Sequence, residues 1–347
     1  MAKTNTLDLT KNDYKGRPST LCPGCGHNAI SNQIISTAYD MAIEPHRVIK
    51  LSGIGCSSKS PAYFLGRSHG FNALHGRMPS VGTGAMAVNR SLIAIGVSGD
   101  GDTGSIGMGQ FKHVMRRNVP MVYIIENNGV YGLTKGQHSA TQDEGVPQKY
   151  YGINEYPAVD IALEAIVGGA SFVARSFSGS PREVQALLSA AIRHNGLAVL
   201  DIISPCVAFN DTDASTKSYS YVRENLDVLH EVEFVGYVPQ AENIEIDERT
   251  YERQGEILVE MHDGSRVVLK RVDEDSYDPT NRHEAIRQVE EARRSNKILT
   301  GLLYFEPERR TLHDVENLID TPLVDLGEDV LRPSKEALDE IMQEMMI

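Results

Sequence analysis

Four short apolar segments of the chain each run directly into a loop that is rich in glycine or polar residues. They lie at residues 47–51, 92–97, 121–128 and 197–203, and the loops that follow read SGIGCSS, SGDGDTGS, GVYGLTKGQ and SPC. Apolar runs of this length, bounded by turn residues, are typical of buried strands. Because helical stretches separate them, we predict an α/β fold with a mostly parallel sheet that helices cover on both faces.

The clearest of these helical stretches is SPREVQALLSAAIRHNG. Ser180 is suited to the N-cap, Pro181 to the first helical position, and Gly196 to the position just past the helix end. In a parallel sheet of this kind, ligands collect where loops converge at the carboxyl ends of strands. The functional site is therefore predicted to lie in the four loops named above.

The part of the chain after residue 209 is more polar and acidic than the part before it. It contains the sequence EILVEM-HDG-SRVVLKRV, in which two alternating strands flank an Asp263-Gly264 turn and predict a β-hairpin. Helices are predicted at 283–295 and 334–345, with the short strand ILTGLLYFE between them. We therefore predict a first domain over residues 1–209 and a C-terminal hairpin and helix extension over 210–347.

The composition excludes several classes of protein. At 347 residues, 41% hydrophobic and 23% charged, the chain is neither disordered nor collagen-like. Its 34 basic and 47 acidic side chains give a net charge of −13, which would repel a nucleic-acid backbone. No apolar run approaches the roughly 18 residues of a membrane span, and the N-terminus lacks the apolar core of a secretory signal. We expect a cytoplasmic protein with no nucleic-acid or membrane partner.

Two of the strand-end loops carry the residues of a magnesium site. Asp100 lies in GDGD directly after one strand, and Asn128 follows 28 residues later at the end of the next. A carboxylate, an amide oxygen and the backbone carbonyl of Val130 are hard ligands of the kind that Mg²⁺ prefers, and glycines let backbone N–H groups approach phosphate oxygens. Either loop alone would more often be a simple turn. Together they indicate a diphosphate and Mg²⁺ site.

Four cysteines are the second chemical signal. Cys22 and Cys25 form a CxxC pair, 30 residues separate Cys25 from Cys56, and 149 separate Cys56 from Cys206. In a reduced cytoplasm such a set indicates a metal or redox site rather than disulfides. Four thiolates can hold either a zinc ion or a 4Fe–4S cluster. For Cys206 alone, an ordinary buried thiol is the simpler interpretation.

The motifs occur in an order that resembles a known family. GDG followed by about 25 residues and NN resembles the thiamine diphosphate signature. CPGCGH, GIGCSS, HGR, GDGD, VYGLTKGQ and SPC together resemble the beta subunit of 2-oxoacid:ferredoxin oxidoreductases over residues 18–220. The longer C-terminal part resembles the 2-oxoglutarate group more loosely. The resemblance implies a thiamine-diphosphate-binding fold and three cofactors: thiamine diphosphate, Mg²⁺ and a 4Fe–4S cluster.

The resemblance also implies roles for individual residues. It assigns the 4Fe–4S cluster to the four cysteines, Mg²⁺ to Asp100, Asn128 and Val130, and a coenzyme A contact to Lys59. Lys135 would meet the distal carboxylate of 2-oxoglutarate. The contacts to the diphosphate and thiazole of the cofactor fall to Ile54, Gly55, Cys56, Ser57, His75, Gly101, Asp102, Gly132 and Leu133.

The reaction implied is the reversible oxidative decarboxylation of a 2-oxoacid to acyl-CoA and CO₂, with electrons passed through the cluster to ferredoxin. An alpha subunit would have to supply the pyrimidine-binding domain, so the isolated chain is predicted to be inactive. The substrate is expected to be 2-oxoglutarate, with pyruvate as the alternative. A non-redox thiamine decarboxylase or carboligase with a zinc site, and a non-catalytic zinc protein, are the rival interpretations.

Overall fold

The computed structural model describes residues 3–236, 256–271 and 277–346. In chain order the strands are β1 (Val48–Ser52), β2 (His69–Asn72), β3 (Ile93–Gly99), β4 (Met121–Asn127), β5 (Val130–Tyr131), β6 (Gln137–His138), β7 (Pro147–Gln148), β8 (Gly152–Ile153), β9 (Phe172–Phe177), β10 (Leu197–Ile203), β11 (Leu226–Val228), β12 (His230–Val235), β13 (Glu256–Glu260), β14 (Arg266–Arg271) and β15 (Ile298–Phe305). The helices are α1 (Gly26–Asp40), α2 (Met78–Val88), α3 (Met108–Arg117), α4 (Ile161–Gly168), α5 (Pro181–Arg193), α6 (Tyr219–Asn225), α7 (Arg282–Arg294), α8 (Leu312–Val315), α9 (Glu328–Leu331) and α10 (Lys335–Glu344).

The central sheet has the strand order β11-β15-β9-β10-β4-β3-β1-β2. Its strand pairs are parallel except for β15 with β9, which run antiparallel. One face packs against α1 and α5, and the other packs against α2, α3, α4 and α7. The predicted α/β fold with a mostly parallel, helix-covered sheet is confirmed.

The four apolar segments of the sequence become β1, β3, β4 and β10, which are neighbours in the sheet. Every residue of β4 and of β10 is buried, as expected for strands that are covered on both faces. Since these strands are parallel, their carboxyl ends lie at one edge. The glycine-rich and cysteine-bearing loops therefore meet there.

Helix α5 begins where its sequence predicts, with Ser180 at the N-cap and Pro181 at the first position. The Ser180 side chain makes no capping hydrogen bond. The helix ends at Arg193, and His194, with an extended backbone, occupies the C-cap. Gly196 therefore lies three residues after the last helical residue, not directly past the end.

The hairpin around Asp263 and Gly264 forms as β13 and β14, but it does not stand alone. Strand β12 pairs with the other edge of β14 and completes a three-stranded antiparallel sheet. Apolar side chains of this sheet, including Val267 and Leu269, join the core against α1 and α5. The end of the hairpin sequence at residue 272 lies outside the described residues.

The division of the chain at residue 209 stays a prediction. Two strands from the later part, β11 and β15, extend the central sheet beside β9. The helices predicted at 283–295 and 334–345 form as α7 and α10. Within the described residues, no helix combines the length and apolarity needed to cross a bilayer.

Candidate cofactor and cysteine site

All four cysteines line one cavity of about 180 Å³ at the carboxyl edge of the sheet. Cys25 occupies the N-cap of α1, and its amide donates to the carbonyl of Cys22 at 3.1 Å. Cys56 precedes the 3-10 turn that follows β1, and Cys206 follows β10. The fold thus gathers four residues that are far apart in the sequence.

Gly132 lies close to two of the sulfur atoms. A β-carbon built there would be 3.4 Å from the Sγ of Cys206 and 3.6 Å from the Sγ of Cys56. Both distances are ordinary van der Waals contacts, so the backbone of Gly132 passes close to these two sulfurs. Asn128 and Leu133 line the same cavity, so the loop after β4 borders it.

Four thiols around one cavity are a ligand set that fits a 4Fe–4S cluster. Across the described parts of the chain, no three His, Cys, Asp or Glu side chains are close enough together to share one metal ion. The sulfurs instead surround an open cavity. Burial raises the pKa of Cys25 to about 12 and also raises the pKa of Cys56 and of Cys206. A metal centre would have to displace the protons of these thiols on binding.

The residues predicted to hold Mg²⁺ also lie together. Asp100 Oδ1 accepts a hydrogen bond from the backbone N–H of Asn128 at 3.2 Å. The side-chain Oδ1 of Asn128 accepts one from the backbone N–H of Val130 at 3.0 Å. The other Asp100 oxygen accepts from the Ser139 hydroxyl and from Thr141 Oγ1. Burial raises the pKa of Asp100. A buried carboxylate beside an amide oxygen is a donor set that fits Mg²⁺.

The glycine loops come into close backbone contact around Asp102. Its Oδ2 accepts from Ser98 Oγ at 2.8 Å and its Oδ1 accepts from the Gly76 amide at 2.9 Å. A β-carbon on Gly53 would lie 1.9 Å from Oδ2, so only glycine fits there. Asp102 thereby joins the loops after β1 and β3 to the loop after β2. The sequence predicted it as a cofactor contact, and the structure gives it this bracing position.

Gly101 is covered by an aromatic ring. The Tyr131 hydroxyl donates to the carbonyl of Gly101 at 2.9 Å, and a β-carbon on Gly101 would lie 2.5 Å from the ring. The chain then passes through a π-helical turn at 102–106 before α3 begins. Such turns are frequent at functional sites because they offset the backbone locally. The close approach of Tyr131 ties the GDGD loop to the loop after β4.

A series of buried, hydrogen-bonded side chains holds Asp100 in position. The Thr141 hydroxyl lies 2.7 Å from Asp100 Oδ2 and 2.9 Å from Asn127 Oδ1. Asn127 Nδ2 donates to Asp201 Oδ1 at 2.9 Å, and Arg175 Nε donates to Asp201 Oδ2 at 2.9 Å. Neighbours that are themselves hydrogen-bonded hold a ligand in one orientation.

Sequence reasoning did not anticipate the buried pair His27 and Glu126. His27 Nδ1 lies 3.5 Å from Glu126 Oε2 and 2.6 Å from the hydroxyl of Ser204. Both oxygens of Glu126 accept from the Ser60 hydroxyl at 2.9 Å. Burial lowers the pKa of His27 to about 3 and raises that of Glu126 well above its ordinary value. The signal for Glu126 was a carboxylate directly after the apolar run MVYII of the same strand.

His27 also connects the two halves of the site. Its Nε2 lies 3.3 Å from Nδ2 of Asn128, and it lines the cysteine cavity two residues after Cys25. The cysteine cavity and the Asp100–Asn128 pair are therefore joined by direct contacts.

The remaining predicted residues surround this edge with different degrees of exposure. Ser57 is buried, and a β-carbon on Gly99 would lie 2.9 Å from its hydroxyl. Ile54 and Gly55 are half-buried, and His75 and Leu133 are exposed. Lys59 lines the cysteine cavity. Lys135 is exposed, with φ of 75°, in the turn that Gly132 opens.

Comparisons with known proteins show which family this chain resembles. Residues 53–202 match the family of thiamine pyrophosphate enzymes at their C-terminal TPP-binding domain. The 2-oxoglutarate synthase subunit KorB of Methanocaldococcus jannaschii is 31% identical over 214 residues, which cover 60% of this chain and 78% of that protein. The 2-oxoacid:ferredoxin oxidoreductase subunit beta of a Sulfolobus species is 41% identical over 191 residues, or 55% of this chain. The chain belongs to the family of 2-oxoacid:ferredoxin oxidoreductase beta subunits. The match spans only 63% of the Sulfolobus beta subunit's length.

A solved structure extends the similarity to nearly the whole chain. The 2-oxoglutarate:ferredoxin oxidoreductase of Magnetococcus marinus, with 2-oxoglutarate, coenzyme A and succinyl-CoA bound, matches with a TM-score of 0.72 and 28% identity. The match covers 98% of this chain and 97% of that chain. It therefore includes the part of the chain after residue 209.

Proposed function

We propose that this chain is the beta subunit of a 2-oxoacid:ferredoxin oxidoreductase that converts a 2-oxoacid and coenzyme A to the acyl-CoA and CO₂, with ferredoxin as the electron acceptor. The observation that carries the proposal is the direct contact between the cysteine cavity and the residues suited to a diphosphate-bound Mg²⁺. His27 and Asn128 border both. An electron-accepting centre in the cavity would therefore lie beside the cofactor.

The cofactors of the proposal are thiamine diphosphate, Mg²⁺ and a 4Fe–4S cluster. Thiamine diphosphate supplies the chemistry that stabilises the carbanion left by decarboxylation. In this chain Asp100, Asn128 and the Val130 carbonyl would hold Mg²⁺, and Cys22, Cys25, Cys56 and Cys206 would hold the cluster. The glycine loops at 53–55 and 99–101 would let backbone N–H groups approach the cofactor.

We propose 2-oxoglutarate as the substrate, with pyruvate as the alternative. The names of the Methanocaldococcus and Magnetococcus proteins support this choice. Lys135 would pair with the distal carboxylate, since a charge-assisted contact can separate substrates that differ in one carboxylate. Lys59, beside the cysteine cavity, would contact coenzyme A.

An alpha subunit with the pyrimidine-binding domain would complete the active site in a heterodimer. Exposed apolar side chains lie beside the predicted cofactor contact His75, namely Phe71 at 55% and Leu74 at 77% exposure. Leu133 of the loop after β4 is also exposed, at 46%. Apolar surface beside a cofactor site is the kind that a partner subunit covers. A cytoplasmic location would keep the four thiols reduced.

The test is anaerobic purification of the chain with its co-expressed partner subunit. We expect about four irons and matching sulfide per chain, bound thiamine diphosphate, and viologen reduction that requires both 2-oxoglutarate and coenzyme A. Zinc in place of iron, or decarboxylation without viologen reduction, would support the non-redox thiamine enzyme instead. Full activity of the lone chain would contradict the partner requirement, and faster turnover of pyruvate would contradict the substrate.

A further inference from the structure

The buried ring of His27 lies against a residue that the proposed function assigns to Mg²⁺. Its Nε2 is 3.3 Å from the side-chain Nδ2 of Asn128, and only 1% of His27 and 5% of Asn128 are exposed. The proposed function gives His27 no task of its own. Because both side chains are almost wholly removed from solvent, a hydrogen bond lost between them is not readily replaced by one to water.

The loop after β4 fixes which way the Asn128 amide points. The backbone N–H of Val130 donates to Oδ1 of Asn128 at 3.0 Å, and an N–H pairs only with the oxygen end of an amide. Oδ1 therefore faces Val130, the neighbouring residue proposed to bind Mg²⁺, and Nδ2 faces His27. The Asn128 backbone is held as well, since its N–H donates to Asp100 Oδ1 at 3.2 Å and its carbonyl accepts from Asn210 Nδ2 at 2.8 Å.

This orientation of Asn128 assigns the hydrogen of the His27 ring. An amide Nδ2 can only donate, so Nε2 of His27 presents its lone pair, and in the neutral ring the hydrogen then lies on Nδ1. Nδ1 meets two oxygens that can accept that hydrogen, the Ser204 hydroxyl at 2.6 Å and Oε2 of Glu126 at 3.5 Å. The tautomer with hydrogen on Nδ1 therefore satisfies both sides of the ring at once.

A glycine lets the fold bring the His27 ring to this place. His27 is the second residue of α1, and the preceding Gly26 lies so close to the loop after β10 that a β-carbon there would be 2.5 Å from the Ser204 hydroxyl oxygen. The Gly26 N–H donates to the Pro205 carbonyl at 3.3 Å and joins the same two segments. Helix α1, which begins directly after Cys25, thus carries a hydrogen-bond acceptor from the cysteine loop to the proposed Mg²⁺ site.

We propose that His27 is a positioning residue for Mg²⁺: its Nε2 accepts from Asn128 Nδ2 and so keeps the side-chain oxygen of Asn128 turned toward the cation. This inference rests on the proposed function, which makes Asn128 a Mg²⁺ ligand. Without the acceptor, Nδ2 becomes a buried donor that has lost its partner, and Asn128 can keep its oxygen at the cation only at that cost. The consequence is weaker binding of thiamine diphosphate with Mg²⁺, while the fold and the cluster are retained.

Calorimetric titration of the assembled, iron-loaded protein with thiamine diphosphate in excess Mg²⁺ tests this with two amide variants. In His27→Gln the side-chain oxygen can take the place of Nε2, whereas in His27→Asn it reaches only the place of Nδ1. His27→Asn should raise the Kd about tenfold, and His27→Gln should stay within about threefold of the wild type. His27→Leu, which fills more of the space without an acceptor, should match His27→Asn. The exposed His46→Asn is the control.

A purely structural role for His27 predicts a different pattern. If the ring only packs against its neighbours, the Asn and Gln variants should lose affinity together. A loss in the Asn and Leu variants alone, with iron content and urea unfolding unchanged, supports the inference. Equal Kd values in the two amide variants, wild-type affinity in the Asn and Leu variants, or loss of iron or of folding along with the cofactor would overturn it. A wild-type protein that binds no thiamine diphosphate would instead remove the proposed function and the inference with it.

Discussion

Replacing Lys50 with methionine tests how the loop that carries Cys56 is held in place. Lys50 lies in β1 with only 7% of its surface exposed, and its Nζ donates to the carbonyls of Pro61, Phe64 and Leu65 at 2.8, 2.9 and 2.9 Å. All three carbonyls follow Cys56 in one segment. Burial removes water from the ammonium and lowers the pKa of Lys50 to about 8. The charged form therefore depends on these three hydrogen bonds.

The magnitude follows from which carbonyls lose their partner. Leu65 also accepts from the Ser68 amide at 3.0 Å, whereas Lys50 is the partner of the Pro61 and Phe64 carbonyls. A buried acceptor left unsatisfied costs about 1–3 kcal/mol, which gives roughly 2–6 kcal/mol for two. Methionine keeps the apolar stem and removes the cost of burying a charge. We therefore expect a destabilisation of about 2–3 kcal/mol, at the low end of that range.

Urea unfolding measures the change in the free energy of unfolding, with exposed Lys149→Met as the matched control. Hydrogen exchange should show faster exchange at residues 57–66 in the Lys50→Met variant, and the iron content should fall because Cys56 is less well positioned. A Lys50→Met variant as stable as the control, with unchanged exchange in this segment, would refute the reasoning. It would show that methionine replaces the buried ammonium without loss of stability.

Four further perturbations test the site and the core. Asp100→Ala should abolish Mg²⁺-dependent thiamine diphosphate binding in calorimetry but keep the iron, because the thiols lie on other loops; unchanged affinity would contradict this. Cys25→Ser should lower bound iron in metal analysis, since a hydroxyl is a poor iron ligand, and full iron would contradict the ligand assignment. Lys135→Ala should lower kcat/KM for 2-oxoglutarate roughly tenfold to a hundredfold and spare pyruvate, whereas equal losses would indicate a structural role. His230 accepts from the Leu302 amide at 3.0 Å, and burial lowers its pKa from 6.5 to about 4. Between these two pH values the unfolded chain binds a proton that the folded chain does not, so the free energy of unfolding in urea should decrease as the pH is lowered from 6.5 to about 4. The variant His230→Gln should show a weaker decrease. A pH profile identical to that of the wild type would exclude His230 as the cause.

The sequence determined the local elements because their signals are local. The apolar runs that end in glycine-rich or polar loops predicted β1, β3, β4 and β10, and Ser180 with Pro181 predicted the start of α5. The spacing of Asp100 and Asn128 indicated two strand ends, and the structure brings them within one hydrogen bond. Alternation around Asp263 and Gly264 likewise predicted two paired strands.

Only the tertiary structure decided which distant residues meet. The folded loops bring Cys206 and Cys56 to one cavity, although β4 and β3 separate their strands in the sheet. The fold also pairs His27 with Glu126, and no local pattern encodes either contact. The same is true of β12, which joins the hairpin, and of Lys50, whose three carbonyl partners lie 11 to 15 residues away. A single charged residue in an apolar strand indicates that a buried partner exists. The identity of that partner depends on the packing of the whole sheet, because residues from distant segments come into contact only when the chain has folded.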